Sequence, residues 1–302
     1  MRILDLFIVA AMIILLSAGS YVLWYNVPSA PVNYQDFTAN VSFSANSSQF
    51  YPNMRYSDRI ITYTIEQACN NQKVTEIEQA FSILSQKTIL QFKKADSDGE
   101  IKFLCSEVAP TSEEKGHFIA GEGGPSKIIN STNFYVVLNG RVSLYRSDKC
   151  AEPKVALHET LHALGFDHDS NPESIMYPVT DCNQQIDQSI IDEINRLYSV
   201  DSLPDWMIEK VSATKRGIYL DFDILFGNDG LRDAQNAKLE IYSNNVKVKE
   251  YTINNTQIGM KTILNAQNLR IDKSAQGVKF EITTPEAELS KTNNIAELAL
   301  KE

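Results

Sequence analysis

The stretch that decides the fold reads His158-Glu159-Thr160-Leu161-His162-Ala163-Leu164-Gly165-Phe166-Asp167-His168. On a helix, residues four apart sit about 40° apart around the axis, so His158 and His162 share one face and their imidazoles converge. Pro153 suits the first turn of such a helix, which runs to Leu164. Continued straight, the helix would carry His168 about 15 Å along the axis from His158, too far for a shared ion. Gly165 removes that obstacle, because glycine takes the left-handed turn that ends a helix and lets the chain double back. Only 4 histidines occur in the chain, and three of them fall in this segment.

Three neutral nitrogen ligands leave one tetrahedral position for water, the arrangement of a catalytic zinc site with one ion. Zinc lowers the pKa of such a water to about 7 and polarises a carbonyl oxygen. Glu159, next to the first ligand, is placed to take the water's proton and pass it to a departing amine. A bare His-Glu-x-x-His occurs in many helices that hold no metal. Gly165 and His168 at this spacing are what make the pattern specific.

These residues resemble the metzincin signature HExxHxxGxxH. Ser174-Ile175-Met176-Tyr177-Pro178 is similar to the methionine turn of that group, which implies that Met176 is an apolar floor under the histidines and not a ligand. Within the metzincins the chain looks most like the matrixin catalytic domain. Arg59-Ile60-Ile61-Thr62-Tyr63-Thr64-Ile65 resembles its opening strand, the helix with Ala80-Phe81 follows, Glu100-Ile101-Lys102-Phe103 resembles its third strand, and Met-Tyr-Pro is matrixin-like at the turn. The resemblance spans residues 51–200. It implies an α+β fold, a twisted mixed sheet plus helices, and a zinc-dependent endopeptidase acting on a polypeptide substrate.

The departures are specific. Asp169 follows the third histidine, as in adamalysin-like members, where matrixins usually carry Ser or Thr. No PRCGxPD segment precedes the domain, which removes the basis for thiol-zinc latency. A histidine-rich loop for a structural zinc is absent, and His117 reads as a strand or loop residue. Tyr177 directly follows Met176, whereas an astacin-type tyrosine ligand lies two residues after it, so Tyr177 is not assigned to the metal.

The resemblance also implies a cleft. Its upper-rim strand would fall within His117–Gly124, where an extended substrate could pair with the strand's edge; the glycines there read equally as a turn. The pocket wall would come from Tyr177–Asp181 after the methionine turn. Pairing Cys150 with Cys182 would brace the site, and Cys69 with Cys105 would link the ends of two neighbouring strands.

Outward from the site, Leu6–Tyr25 is a nearly unbroken apolar stretch, long enough to cross a bilayer as a helix. Residues 1–25 therefore read as a transmembrane signal-anchor, with Trp24 and Tyr25 at the interface. The competing reading is a signal peptide cleaved near Ser17-Ala18-Gly19. Arg2 precedes the stretch and no Lys or Arg follows until Arg55, so either reading exports the bulk of the chain: a single-pass cell-membrane protein if the helix stays, a secreted one if it is cleaved. Residues 26–50, rich in Ser, Asn, Ala and Pro, form a flexible tether.

Four cysteines suit an oxidising compartment and allow three pairings between which spacing alone does not choose. Sequons at Asn40, Asn46, Asn130 and Asn254 are compatible with it. The net charge of −10 excludes phosphate-backbone recognition, which needs clustered Lys and Arg, so no nucleic acid partner is expected.

Helical spacing of Ile77, Phe81, Leu84 and Thr88 predicts a helix over Val74–Leu90, and short strands are expected at Ile89–Phe92 and Glu100–Leu104. Phe134–Leu138 and Arg141–Tyr145 read as a hairpin about Asn139–Gly140. A later helix covers Ile186–Tyr198, and the boundary falls in Ser199–Pro204.

Residues 205–302 then show about seven alternating segments, with turns at Asn228-Asp229-Gly230 and Ser243-Asn244-Asn245, the pattern of an all-β immunoglobulin-like sandwich. Asn228-Asp229-Gly230 and Lys291-Thr292-Asn293-Asn294 resemble the CARDB-like modules of microbial surface proteins, which implies contact with a surface protein or glycan. Two functions compete at this level: a membrane-tethered endopeptidase, and a surface adhesion protein whose zinc domain is idle. The intact Glu159 favours the enzyme, because an idle site has no need of that carboxylate.

Overall fold

The computed structural model describes residues 48–111, 119–147 and 149–300. The expected span 1–25, residues 26–47 of the expected tether, and His117 lie outside the described residues. Among the described residues no helix is long and apolar enough to cross a membrane.

Two buried clusters organise the chain, one drawn from Met54 to Tyr198 and one from Trp206 to Ala296. The first begins with β1 (Met54–Tyr56) and β2 (Ile60–Ile65), whose alternation buries Ile61 and Tyr63. Helix α1 (Asn71–Lys87) is started by Asn70, whose side chain accepts the Lys73 N–H at 2.9 Å. It buries Ile77, Ala80, Phe81 and Leu84, and stops where Thr88 N–H returns to Leu84 O. Its bounds precede the Val74–Leu90 expected from apolar periodicity, because the polar Asn70 cap opens it. Next come β3 (Gln91–Lys94), β4 (Ile101–Cys105), β5 (Gly121–Asn130) and β6 (Tyr135–Leu144), then α2 (Lys154–Ala163) and α3 (Gln188–Tyr198).

The strands lie in the order β3-β2-β4-β6-β5, with β1 beside the first half of β6. All run parallel except β5, which is antiparallel to β6, so the sheet is mixed as expected. Parallel neighbours require a crossover, and α1 supplies it between β2 and β3.

Asn139–Gly140 is not the hairpin turn that its dipeptide suggests. It lies inside β6, and the hairpin closes instead through Asn130–Tyr135 at the end of β5. The reason for the glycine is long-range: a Cβ at 140 would collide with the Tyr56 hydroxyl, which donates to Ala163 O at 3.0 Å. The glycine-rich run, left open between strand and turn, is the start of β5. This strand, Gly121–Asn130, overlaps the expected His117–Gly124 at Gly121–Gly124, and residues 117 and 118 lie outside the described residues.

Arg55 closes this unit. Although charged, it is buried, and its guanidinium donates to the carbonyls of Leu197 and Val200 and stacks 4.6 Å over the Tyr198 ring. The first strand is thereby tied to the end of the last helix.

The second cluster is enclosed by two antiparallel sheets. β7 (Trp206–Arg216), β8 (Tyr219–Asn228), β9 (Ala237–Ser243), β10 (Val246–Ile253), β11 (Lys261–Arg270), β12 (Gly277–Thr283) and β13 (Ile295–Ala299) divide into β10-β9-β12-β13 and β11-β8-β7. Phe222 of β8 meets Phe280 of β12 across the core, with ring centroids 5.1 Å apart. Asn244 and Asn245 both have positive φ, the requirement of the tight hairpin their sequence predicts. Asn228 Oδ1 accepts from both Asp205 N and Gly230 N, fastening the start of β7 to the turn after β8.

Two outcomes are expected here. Arg55→Met leaves buried carbonyls without donors and lowers stability by about 3 kcal/mol or more, read by urea unfolding. Burial raises the Asp205 carboxyl from its ordinary value to about 7. A raised folded-state value means the native protein holds the proton longer than the unfolded chain, so stability falls as pH rises from about 4 to about 7. Asp205→Asn flattens that slope in unfolding followed by the fluorescence of buried Trp206.

Candidate metal centre

Every residue of α2 is buried, and its end is built by the residue that the spacing singled out. Gly165 has φ +101°, its N–H returns to His162 O at 2.9 Å, and Phe166 N–H returns to Leu161 O at 3.0 Å. This pair of bonds satisfies the last helical carbonyls and reverses the chain. His168 is thereby brought back over the helix face that carries His158 and His162. Nε2 of His162 lies 2.9 Å from Nε2 of His158 and 3.1 Å from Nε2 of His168.

The other ring nitrogens decide what those three atoms can do. Nδ1 of His158 is 2.7 Å from Ile175 O, and Nδ1 of His162 is 2.7 Å from Phe166 O. A carbonyl only accepts, so each Nδ1 carries the proton and each Nε2 presents a lone pair. Lone pairs this close repel unless a cation sits between them. Around a tetrahedral zinc with Zn–N of about 2.0–2.1 Å, nitrogen ligands lie about 3.4 Å apart, so the trio needs to open by only a few tenths of an ångström. The residues fit the metal. His158 and His162 are buried and His168 is exposed, so the centre opens to solvent on the His168 side.

The methionine turn is a backbone support. Ser174–Tyr177 closes with Tyr177 N–H to Ser174 O at 3.1 Å, and Met176 N–H bonds to Ser174 Oγ at 3.0 Å. Ile175 O holds His158, and Met176 O accepts the N–H of Asp169, the residue after His168, at 2.9 Å. Met176 itself is buried. The Cys150–Cys182 disulfide ties the approach to α2 to the loop beyond the turn, and Cys69–Cys105 joins the chain after β2 to the end of β4, the two pairings expected from the resemblance. A cavity of about 580 Å³ lies beside the turn, with Tyr177, Val179 and Asp181 along one wall; none of the three histidines lines it.

Glu159 is buried beneath β5. A Cβ at Gly121 would lie 2.6 Å from Glu159 Cγ, and one at Gly123 would strike the Glu159 carbonyl. The two glycines allow the strand to rest on the helix at that residue. Burial, with Glu122 adding its charge, raises the Glu159 carboxyl to about 8. Burial and the neighbouring His162 lower His158 to about 4, and burial lowers His162. In both of these residues the neutral imidazole is favoured, the state a metal requires. A divalent cation at their nitrogens would pull the Glu159 value down.

Several supporting residues were not legible in the sequence. The carbonyls of Phe166 and Ile175 belong to no residue type. The two glycines were visible but not their partner. Ser48–Phe50, taken as the end of the tether, instead pairs with the chain at Gly165–Asp167. Gly123→Ala is expected to lower stability by about 1–3 kcal/mol in urea unfolding, the cost of forcing a methyl into packed backbone. Gly124→Ala, where a Cβ would meet nothing, is expected to change it by less than about 0.5 kcal/mol.

Comparison with known proteins agrees with this geometry. Residues 53–199 match the family model described as matrixin. Zinc metalloproteinase nas-14 of Caenorhabditis elegans is 26% identical over 179 residues, 55% of this chain and 32% of that protein, so the chain spans about a third of that relative's length. Among solved structures, the CARDB domain of a Pyrococcus furiosus protein, determined in complex with di-metal ions, aligns with 32% of this chain and 94% of its own at 17% identity and a TM-score of 0.27. That likeness is too slight to carry an argument. The histidine triad, the turn that follows it and the match to the matrixin family model coincide on one segment, residues 53–199.

Proposed function

We propose that the chain is a zinc-dependent endopeptidase that hydrolyses peptide bonds of polypeptides outside the cytoplasm. One observation carries the reading: three Nε2 lone pairs converge on the helix that also buries the Glu159 carboxyl under β5, a strand that pairs only with β6 among the described residues. His158, His162 and His168 would hold one zinc ion, which supplies Lewis-acid polarisation of the scissile carbonyl and a water of lowered pKa. Glu159 serves as general base. It takes a proton from the water as its oxygen adds to the carbonyl carbon, and returns a proton to the amine nitrogen as the C–N bond breaks. The Nδ1–H bonds to Ile175 O and Phe166 O keep the rings oriented throughout. The edge of β5 would hold the substrate extended by backbone pairing.

Two disulfides favour an oxidising compartment. With residues 1–25 as a membrane anchor, the protein would face outward from the cell membrane. The C-terminal sheets are read as a CARDB-like, immunoglobulin-type module that contacts a surface protein or glycan. The rival reading, an adhesion protein with an idle zinc domain, gives Glu159 no task.

Glu159→Gln is expected to bind zinc as the wild type does and to lose about 10²–10⁴-fold in cleavage of an unstructured protein. Zinc binding with no Glu159-dependent cleavage of diverse polypeptides would instead favour the adhesion reading. Chelation should abolish cleavage and added zinc restore it, with metal content measured alongside.

A further inference from the structure

The residues just before β1 are wound into the metal centre. Phe50 N–H donates to Gly165 O at 2.9 Å, and Asp167 N–H donates to Ser48 O at 2.8 Å, so Gln49 and Phe166 form an antiparallel bridge. The bridge falls on the backbone between the second and third histidines. It brackets Phe166, whose carbonyl holds Nδ1 of His162. The ring of Phe50 lies against the His162 ring, with centroids 5.8 Å apart and planes 23° apart.

The short segment is itself anchored. Gln49 is buried, and its amide donates to Met54 O at 2.6 Å while its Oε1 accepts Met54 N–H at 3.0 Å. Met54 in turn fills the space that a side chain at Gly165 would need. From Ser48 to Met54 the chain thus clasps the turn that carries the third ligand back to the other two. Phe50 is 38% exposed and belongs to neither buried cluster, and its ring contact is with His162.

We propose that Ser48–Phe50 is a positioning strap of the metal centre, with Phe50 fixing the plane of His162 and the Gln49–Phe166 bridge fixing the carbonyl that orients its Nδ1. The inference rests on the reading of the histidines as zinc ligands. Partners one step removed from a metal-bound histidine commonly carry about 10–100-fold of metal affinity, and the strap acts at that distance.

The test uses the full chain and Phe50→Ala, Phe50→Tyr and Gln49→Ala variants. Zinc affinity is measured by competition with a chromogenic chelator, the visible spectrum is recorded with Co²⁺, and the melting of the metal-free proteins is compared. The expected result is that Phe50→Ala binds zinc about 10-fold or more weakly and shifts the Co²⁺ bands, with metal-free melting close to wild type. Phe50→Tyr, which keeps the ring, restores both, and Gln49→Ala weakens zinc in the same sense. Phe50→Ala with wild-type affinity and an unshifted Co²⁺ spectrum overturns the strap while leaving the zinc site intact. A wild-type chain that takes up no zinc overturns the reading of the site itself.

Discussion

Phe166 gives its N–H to Leu161 O and receives the Nδ1–H of His162 at its own carbonyl, and between those two bonds the chain reverses. The first bond belongs to the helix end and the second to the metal centre, so one peptide unit serves both. The reversal requires the φ of +101° at Gly165, a conformation that costs an L-residue roughly 1–2 kcal/mol. It also requires that no side chain stand at 165, because Met54 occupies the space a Cβ there would need. Ligand geometry, helix termination and the packing of the first strand are therefore a single constraint, and a shift in any one moves the others.

The electrostatics follow from the same burial. Desolvation lowers His158 and His162 and raises Glu159, so in each case the neutral form is favoured. For the imidazoles this is the ligating form. For the carboxylate it is the form that cannot act as a base, and a dication held by the histidine nitrogens would pull it back toward the charged form. Burial would thus link the ionisation of Glu159 to a bound metal. The glycines of β5 strengthen the effect, because they let a strand lie directly on the residue and exclude water that would otherwise solvate its charge.

The convergence of the three histidines was legible because its geometry is local: three imidazoles, one helix period and one glycine state nearly the whole requirement within eleven residues. The cysteine pairings came through resemblance, since spacing alone left three pairings open. Asn139–Gly140 shows the limit of local reading. The dipeptide is a strong turn signal, yet its glycine answers to Tyr56 and Ala163, both distant in sequence, and the strand runs straight through. The helix before β3 was shifted because apolar periodicity does not mark its ends, whereas Asn70 does. Phe166 and Ile175 act through carbonyls that any residue could supply, so no pattern of side chains could have named them.

The strand above Glu159 raises a question of its own, because an unpaired edge invites unwanted partners. Among the described residues β5 pairs only with β6, and its two halves differ. Gly121–Pro125 keeps regular register with Leu144–Gly140, while the register shifts between Pro125 and Lys127 and again between Lys127 and Ile128. Proline removes a backbone donor, the irregular register bends the ladder, and a lysine adds charge, three devices that discourage strand addition. At the far end the hairpin is held by the C-terminal sheets, with Thr132 N–H bonded to Asp229 Oδ1 and Ile129 packed on Gly259. The regular part of the free edge is thereby confined to the residues that rest on Glu159. Strand addition is thus discouraged along the second half of β5 and left open only over the half that lies on Glu159.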